Sequence, residues 1–425
     1  MTIELPSTLA RMSMSTPESR EADRIRLSEL EALLAPLRAE YEEVSSRLDA
    51  YKYPIATIPA EILSEIFLQT LPGYPGCPVL LVPTENEAGD DDGAVDIACC
   101  PTQLTHVCRE WRVIAHATPG LWRAIQMGGD TDGNRTHSAR MDEARMWLLR
   151  SGSLPLSIAM GKDECEGRRE AAIYALLGSS TSRHRVQHLT VQLPPNYKHW
   201  LDGGFGTLVV LDVRQADMDD ASGPDAVGVL DAPRLREVFF TAHDNRWFRQ
   251  FLPCIPWAQL TRLRTRYITA GVAMEILRET RSLLELRLEM EMELDQDDVP
   301  SDAPRLPLPN LTSLILETTN TKVTPPMTRL LRALQTPALK QLYIEENLLD
   351  GFDGDDPAEA NLVALLQTLA PVAILERLEV AGGTFDILDY PAALLNTQLF
   401  RYHTDVYEVD DNPMQWGFWE GDARR

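Results

Sequence analysis

Leu308-Pro309-Asn310-Leu311-Thr312-Ser313-Leu314-Ile315-Leu316 carries the pattern on which the fold turns: an apolar residue, two others, an apolar residue, one other, an apolar residue. The same template appears at Val186-Leu189-Val191, Leu208-Leu211-Val213, Leu235-Val238-Phe240, Leu260-Leu263-Thr265, Leu283-Leu286-Leu288, Leu339-Leu342-Ile344 and Leu375-Leu378-Val380. Successive first positions are 22, 27, 25, 23, 28, 28 and 36 residues apart. A strand turns alternate residues to one side, so the second and third positions share a face, and the turn before the strand buries the first. One such unit cannot bury its apolar face alone, so the units are expected to stack and share a core. Proline or polar turns open several of them, as in Ala232-Pro233-Arg234-Leu235 and Thr336-Pro337-Ala338-Leu339. Helices are expected between the strands at Gly271 to Glu279, Thr328 to Leu334 and Leu362 to Leu369. A weaker ninth unit falls at Leu399-Tyr402-Thr404, and Leu154-Leu156-Ile158 is placed to open the array. The irregular spacing leaves an ordinary α/β sheet as the alternative.

Pattern and period resemble leucine-rich repeats, whose units run about 20 to 29 residues. The resemblance implies a solenoid whose inner, concave surface is formed by the residues between the apolar positions and is the usual place of binding. Arg262, Arg264 and Arg266 occupy that surface on one strand, with Arg287, Phe239 and Tyr343 on others, and together they are the candidate client contacts. Three guanidinium groups on one strand suit an acidic or phosphorylated ligand. In this register Arg262 lies beside Glu285 and Arg266 beside Glu289, so cross-strand pairing accounts for two of the three. Arg264 opposite Arg287 is left over, and these two arginines are the expected anchors of an acidic segment of a client.

Upstream, Pro54 to Met127 holds Ile58-Pro59-Ala60-Glu61-Ile62-Leu63-Ser64-Glu65-Ile66-Phe67 and Thr105-His106-Val107-Cys108-Arg109-Glu110-Trp111-Arg112. Ile62, Leu63, Ile66, Phe67 and Leu71 share one helical face, and Leu104, Val107, Trp111 and Ile114 another. Thr118-Pro119 is expected to stop that second helix and begin a third with Leu121, Trp122 and Ile125. Between them, residues 83–98 are a polar, acidic insertion. The order Ile58-Pro59, Ile66-Phe67, Val107-Cys108-Arg109-Glu110-Trp111 and Leu121-Trp122 resembles the F-box. That resemblance implies a three-helix unit that docks on a Skp-type adaptor and so joins a cullin-RING ubiquitin ligase. Ile58, Pro59, Ile62, Leu63, Ile66 and Phe67 would face the adaptor or support the face that does. Val107, Trp111, Leu121 and Trp122 complete the set or serve internal packing, which the sequence does not divide.

Before this unit, Leu27, Leu30, Leu34, Leu37, Tyr41, Val44 and Leu48 alternate steps of three and four, the seam of a heptad repeat. Pro36 sits inside it, and an interior proline costs a helix about 3 kcal/mol. Homodimerisation through residues 27–48 is one reading. A helix bent at Pro36 and folded back on its own protein is the other, favoured by that penalty.

The expected organisation is an α+β multi-domain chain: a disordered stretch at 1–20, a heptad helix at 21–50, the three-helix F-box at 54–127, and a linker with a helix at 128–150. An α/β leucine-rich-repeat-like solenoid follows at 151–410, then a tail at 411–425 whose Trp416, Phe418 and Trp419 cap the last repeat. The net charge of −24 weighs against nucleic acid and anionic membrane as partners. Without a run of eighteen apolar residues or a secretory leader the chain is expected to be soluble and intracellular, cytoplasmic or nuclear. Its six cysteines match neither a disulfide framework nor a zinc pattern, so Cys99, Cys100, His106 and Cys108 are not read as a metal site. Asp350 to Asp356 fails the calcium-loop pattern. No catalytic motif and no cofactor site is read, and the chain is expected to be no enzyme. The layout resembles F-box families of mushroom-forming fungi, which implies a substrate-recognition subunit of a Skp-cullin-F-box ligase. A repeat scaffold outside any ligase is the alternative. A metal-dependent hydrolase using Asp90, Asp91 and Asp92 is the remote one.

Overall fold

The computed structural model of this chain describes residues 17–50, 57–77, 100–127, 137–160, 177–178, 180–193, 203–215, 229–242, 245–291, 299–300, 304–319, 324–349, 358–369, 375–381 and 399–403. The acidic stretches at 83–98 and 350–356 and the aromatic tail at 416–419 lie outside the described residues. The chain divides into two compact units, Met1–Leu63 and Ser64–Arg425.

The first unit is dominated by α1 (Pro17–Ala50), which runs without interruption through Pro36. All seven seam residues are exposed, from 39 % at Val44 to 76 % at Tyr41. The unit also contains the start of α2 (Ala60–Gln69), where the Pro59 carbonyl accepts the amides of Ile62 and Leu63 and Glu61 sits at the positive end of the dipole.

The second unit is mixed helix and strand, built on one large parallel sheet. Its strands are β1 (Ala124–Met127), β2 (Leu156–Met160), β3 (Val186–Leu193), β4 (Val210–Gln215), β5 (Glu237–Thr241) and β6 (Arg262–Ile268), then β7 (Glu285–Met290), β8 (Ser313–Thr318), β9 (Gln341–Glu345), β10 (Arg377–Ala381) and β11 (Leu399–His403). All eleven lie in chain order, each parallel to the next. The template explains the register. Leu189, Leu211, Val238, Leu263, Leu286, Leu314, Leu342 and Leu378 stand in one row across β3 to β10, and the third positions, from Val191 to Val380, stand in the next. No template residue in the eight repeats is more than 6 % exposed. The first positions are buried by turns that are themselves paired: Thr261 N–H reaches Arg236 O, Leu284 N–H reaches Thr261 O and Thr312 N–H reaches Leu284 O, each at 2.8 Å.

Crossover helices cover the leucine side. They are α6 (Asn245–Phe251), α7 (Ala270–Glu279), α8 (Pro325–Ala333) and α9 (Ala358–Leu369), each packed on the next. Phe240 meets Trp247, Phe248, Phe251 and Trp257 there, with ring centroids 5.5–6.0 Å apart.

The segment before the array departs from expectation in two places. The second helix of the sequence reading is two helices, α3 (Pro101–Val107) and α4 (Arg109–His116), because Cys108 is extended and its Sγ accepts the Trp111 amide. The expected third helix shrinks to a 3₁₀ turn, Pro119–Trp122, and Ile125 belongs to β1, where pairing with β2 satisfies the backbone of Ala124–Met127. Downstream, α5 (His137–Arg150) packs on that turn and on β1.

Leu314→Ala should lower the unfolding free energy by about 2–5 kcal/mol, read from the urea midpoint, because it leaves a cavity in a shared core. Leu284→Ala, at a position 43 % exposed one residue before β7, should change it by no more than about 0.5 kcal/mol.

Candidate functional site

Two surfaces carry the residues singled out in the sequence. On the helical segment the apolar residues separate by face. Leu63, Phe67, Leu121 and Trp122 are buried, whereas Pro59, Ile62, Ile66 and Val107 are exposed, with Ile62 at 53 %, Ile66 at 42 % and Val107 at 61 %. Ile58 and Trp111 are half-buried. The buried members form an aromatic spine: Phe67 lies 4.8 Å from Trp111, and Trp122 lies 5.7 Å from Trp147 of α5. Trp122 donates its ring N–H to Ala115 O at 2.8 Å, which satisfies the only polar atom of the indole. Arg112 donates to Thr105 O at the end of α3, and Thr102 donates to Glu143 of α5 at 2.7 Å. Ile62 and Ile66, one turn apart, are thus apolar surface that this packing leaves uncovered.

The second surface is the sheet face opposite the leucines. At β2 and β3 the chain covers it itself. Ser157 donates to Pro75 O at 2.7 Å, and the Tyr74 hydroxyl lies 3.2 Å from both His188 Nδ1 and Gln187 Oε1, under the Arg123 guanidinium at 3.8 Å. Burial, then the Arg123 charge, holds the His188 imidazole down at about 4, so it is neutral at physiological pH. Burial also pushes the Cys77 thiol up to about 11, which makes it a poor nucleophile.

From β5 to β10 that face is a ladder of charge. The expected cross-strand pairs are present: Arg262 reaches Glu285 at 3.2 Å and Glu237 at 3.4 Å, and Arg266 reaches Glu289 at 2.7 Å. Arg264 stands opposite Arg287 in the register, as read from the sequence. Arg287 turns to β8 and binds Glu317 through two bonds of 2.7 Å, and both residues are buried. Its remaining Nη1 is buried with no hydrogen-bond partner. The side chain of Arg264, 6 % exposed, makes no hydrogen bond or ion pair to any described residue. Burial, then the Arg287 charge, lowers it to about 10, which still leaves it a cation at neutral pH. A β-bulge follows at once, where Tyr267 takes φ 58° and the pairing of β6 with β7 skips a residue.

Phe239, Tyr343 and Arg287 offer no surface to a client, contrary to the reading of them as contacts, and Arg264 is buried with them, 6 % exposed. Phe239 is buried with Val210, and Tyr343 is fully buried with Ile315 and Ala381. Neighbouring strands lie about 4.8 Å apart, so large side chains in one row pack sideways on each other. Arg262 and Arg266 remain partly exposed at the rim. The sequence reading passed over Glu345 and Glu379 as ligand-relevant groups. Glu345 accepts the Thr318 amide at 2.9 Å, and burial followed by the neighbouring carboxylates raises its acid to about 7. Glu379 is fully buried beneath Arg377, which it accepts at 2.6 Å.

Among the described residues no three His, Cys, Asp or Glu side chains are grouped to hold a metal ion, and no helix is long and apolar enough to cross a membrane. No protein-family model matches the chain, and no curated protein matches it in sequence.

Glu345 yields a pH dependence of known sign. Its folded acid is weaker than the unfolded one, so the folded state binds the extra proton, and the stability this contributes is present below about 4.5 and lost as pH rises through about 7. Between pH 5 and pH 8 the wild type should lose on the order of 3 kcal/mol relative to Glu345→Gln, which keeps an acceptor for Thr318 but cannot ionise. Urea unfolding of both proteins across that range reads the difference.

Proposed function

We propose that this chain is the substrate-recognition subunit of a Skp-cullin-F-box type ubiquitin ligase: an F-box docks on a Skp-type adaptor, and a leucine-rich-repeat-like array holds the client. The observation that carries this reading is the division of α2 into two apolar faces. Leu63 and Phe67 are spent on internal packing, and Ile62 and Ile66 are left in solvent. A ten-residue helix with a surplus greasy face is shaped for a partner rather than for self-sufficiency. The strand order in chain sequence and the buried template rows support a repeat array. The function follows from proximity. A receptor that holds the client beside the transferring enzyme raises its effective concentration there and needs no catalytic group of its own.

Adaptor binding separates this reading from a repeat scaffold that joins no ligase. The wild-type chain is expected to co-purify with a Skp-type adaptor, and Ile62→Lys with Ile66→Lys to lose it at least tenfold with an unchanged circular dichroism spectrum. These positions are chosen over Leu63 and Phe67, whose replacement would unfold the segment. A folded wild type that ignores the adaptor sinks the ligase reading.

A further inference from the structure

The strongest unclaimed feature is the exposed seam of α1. With Leu27 at position a of a heptad, the a positions are Leu27, Leu34, Tyr41 and Leu48 and the d positions are Leu30, Leu37 and Val44. A stripe at this spacing over three heptads drifts too slowly to serve a single flat contact, and buries itself best against a second helix that winds with it. The structure assigns this seam to a second copy of the chain: two α1 helices form a parallel, two-stranded coiled coil.

Charge beside the seam selects both the partner and the direction. In a parallel pair, position g of one helix meets the following e of the other, which sets Arg26 against Glu31, twice by symmetry, with no like-charge contact among Leu33 and Arg38 or Glu40 and Ser45. The antiparallel pair with full overlap gains Glu31 against Arg38 but sets Arg26 against Arg47, also twice, and so cancels the gain. Arg26 currently holds Glu29 at 2.9 Å on an open surface, a pair weak enough to yield. Leu33, 62 % exposed, lies at g and widens the apolar strip.

Pro36 falls at position c, on the side away from the seam. It supplies no amide for the carbonyl of Ala32, and so weakens the helix without obstructing the interface. Dimer and helix are therefore coupled, and Pro36→Ala tightens the dimer if α1 is the contact. This inference stands whether or not α2 binds an adaptor, since it concerns the chain alone. Its consequence is two client faces per assembly, and avidity for clients with two acidic segments.

Sedimentation equilibrium of the full chain should give twice the 47.7 kDa monomer mass at micromolar concentration. Leu34→Lys with Leu37→Lys should return it to monomer with the sheet's circular dichroism unchanged, and Pro36→Ala should tighten the dimer more than tenfold. Leu34→Cys should give an oxidised, covalently linked pair, and Ala32→Cys, on the outer side, should not. A monomeric wild type, or a dimer indifferent to the two lysines, overturns the proposal. A persistent dimer in which Leu34→Cys fails to link overturns its parallel direction.

Discussion

Parallel backbone pairing in chain order is the constraint on which everything else in Ser64–Arg425 rests. A parallel strand cannot fold back through a tight turn, so each must be followed by a crossover that returns the chain to the same end of the sheet. Here the crossover repeats at steps of 22 to 36 residues, and each return places the next leucine row beside the last. Backbone amides in the turns extend the ladder beyond the strands, from Arg236 through Thr261 and Leu284 to Thr312 and Lys340. A single misplaced repeat would break both the hydrogen bonds and the row of buried side chains on either side of it. Such an array gains its stability from neighbour interfaces, which is why the interior repeats tolerate one polar template residue, Thr265, among their leucines.

The leucine rows were legible because their signal is local. Two residues apart on a strand fixes a face, and three before it fixes a turn, so Leu311, Leu314 and Leu316 could be placed without knowing any contact. What lay beyond reach was decided by contacts distant in sequence. Ile125 fits a helical spacing with Leu121 and Trp122, and is a strand residue only because Ser157 to Met160 offers it a partner. The break at Cys108 sits within an unbroken helical period and rests on one extended residue and one sulfur acceptor. On the other sheet face the pairs Arg262–Glu285 and Arg266–Glu289 could be read from register alone, but Arg287 chose Glu317 on the next strand, and the burial of Phe239 and Tyr343 follows from sideways packing within a row. Within α1, Pro36 costs one hydrogen bond at a position outside the seam, and the helix runs on through it.

The charged face is an expensive way to cover a sheet. Burying Arg287 with Glu317 gains little over an apolar pair of the same size, because both ions first lose their water. What such a pair does supply is a steep penalty for any arrangement that separates its members, which ties β7 to β8 in one register. Arg264 carries the cost without that return. It keeps its charge, stands between Phe239 and Arg287, and has no carboxylate of its own, although Glu289 and Glu317 each neutralise an arginine next to it. At 6 % exposure that cation is closed to an outside ligand, so its charge is a cost borne inside the sheet face.

The proposed receptor, working by proximity, would also need a stiff path between its two grips. Among the described residues the helical segment runs directly into the sheet. Trp122 closes the helical segment at its contact with Trp147, and two residues later the backbone is already β1, paired to β2 through four residues. The segment Tyr74 to Cys77 adds a second tie, since Ser157 and His188 hold it on the sheet face that runs on toward Arg264. Anything bound to the outer side of the helices after Ser64 is therefore set at a fixed distance and angle from anything bound on the ladder. Loosening the tie at Tyr74 would leave the helices and the ladder each in place and spoil only their relation, which on the proposed reading is what a receptor needs and two adjoining binding domains do not.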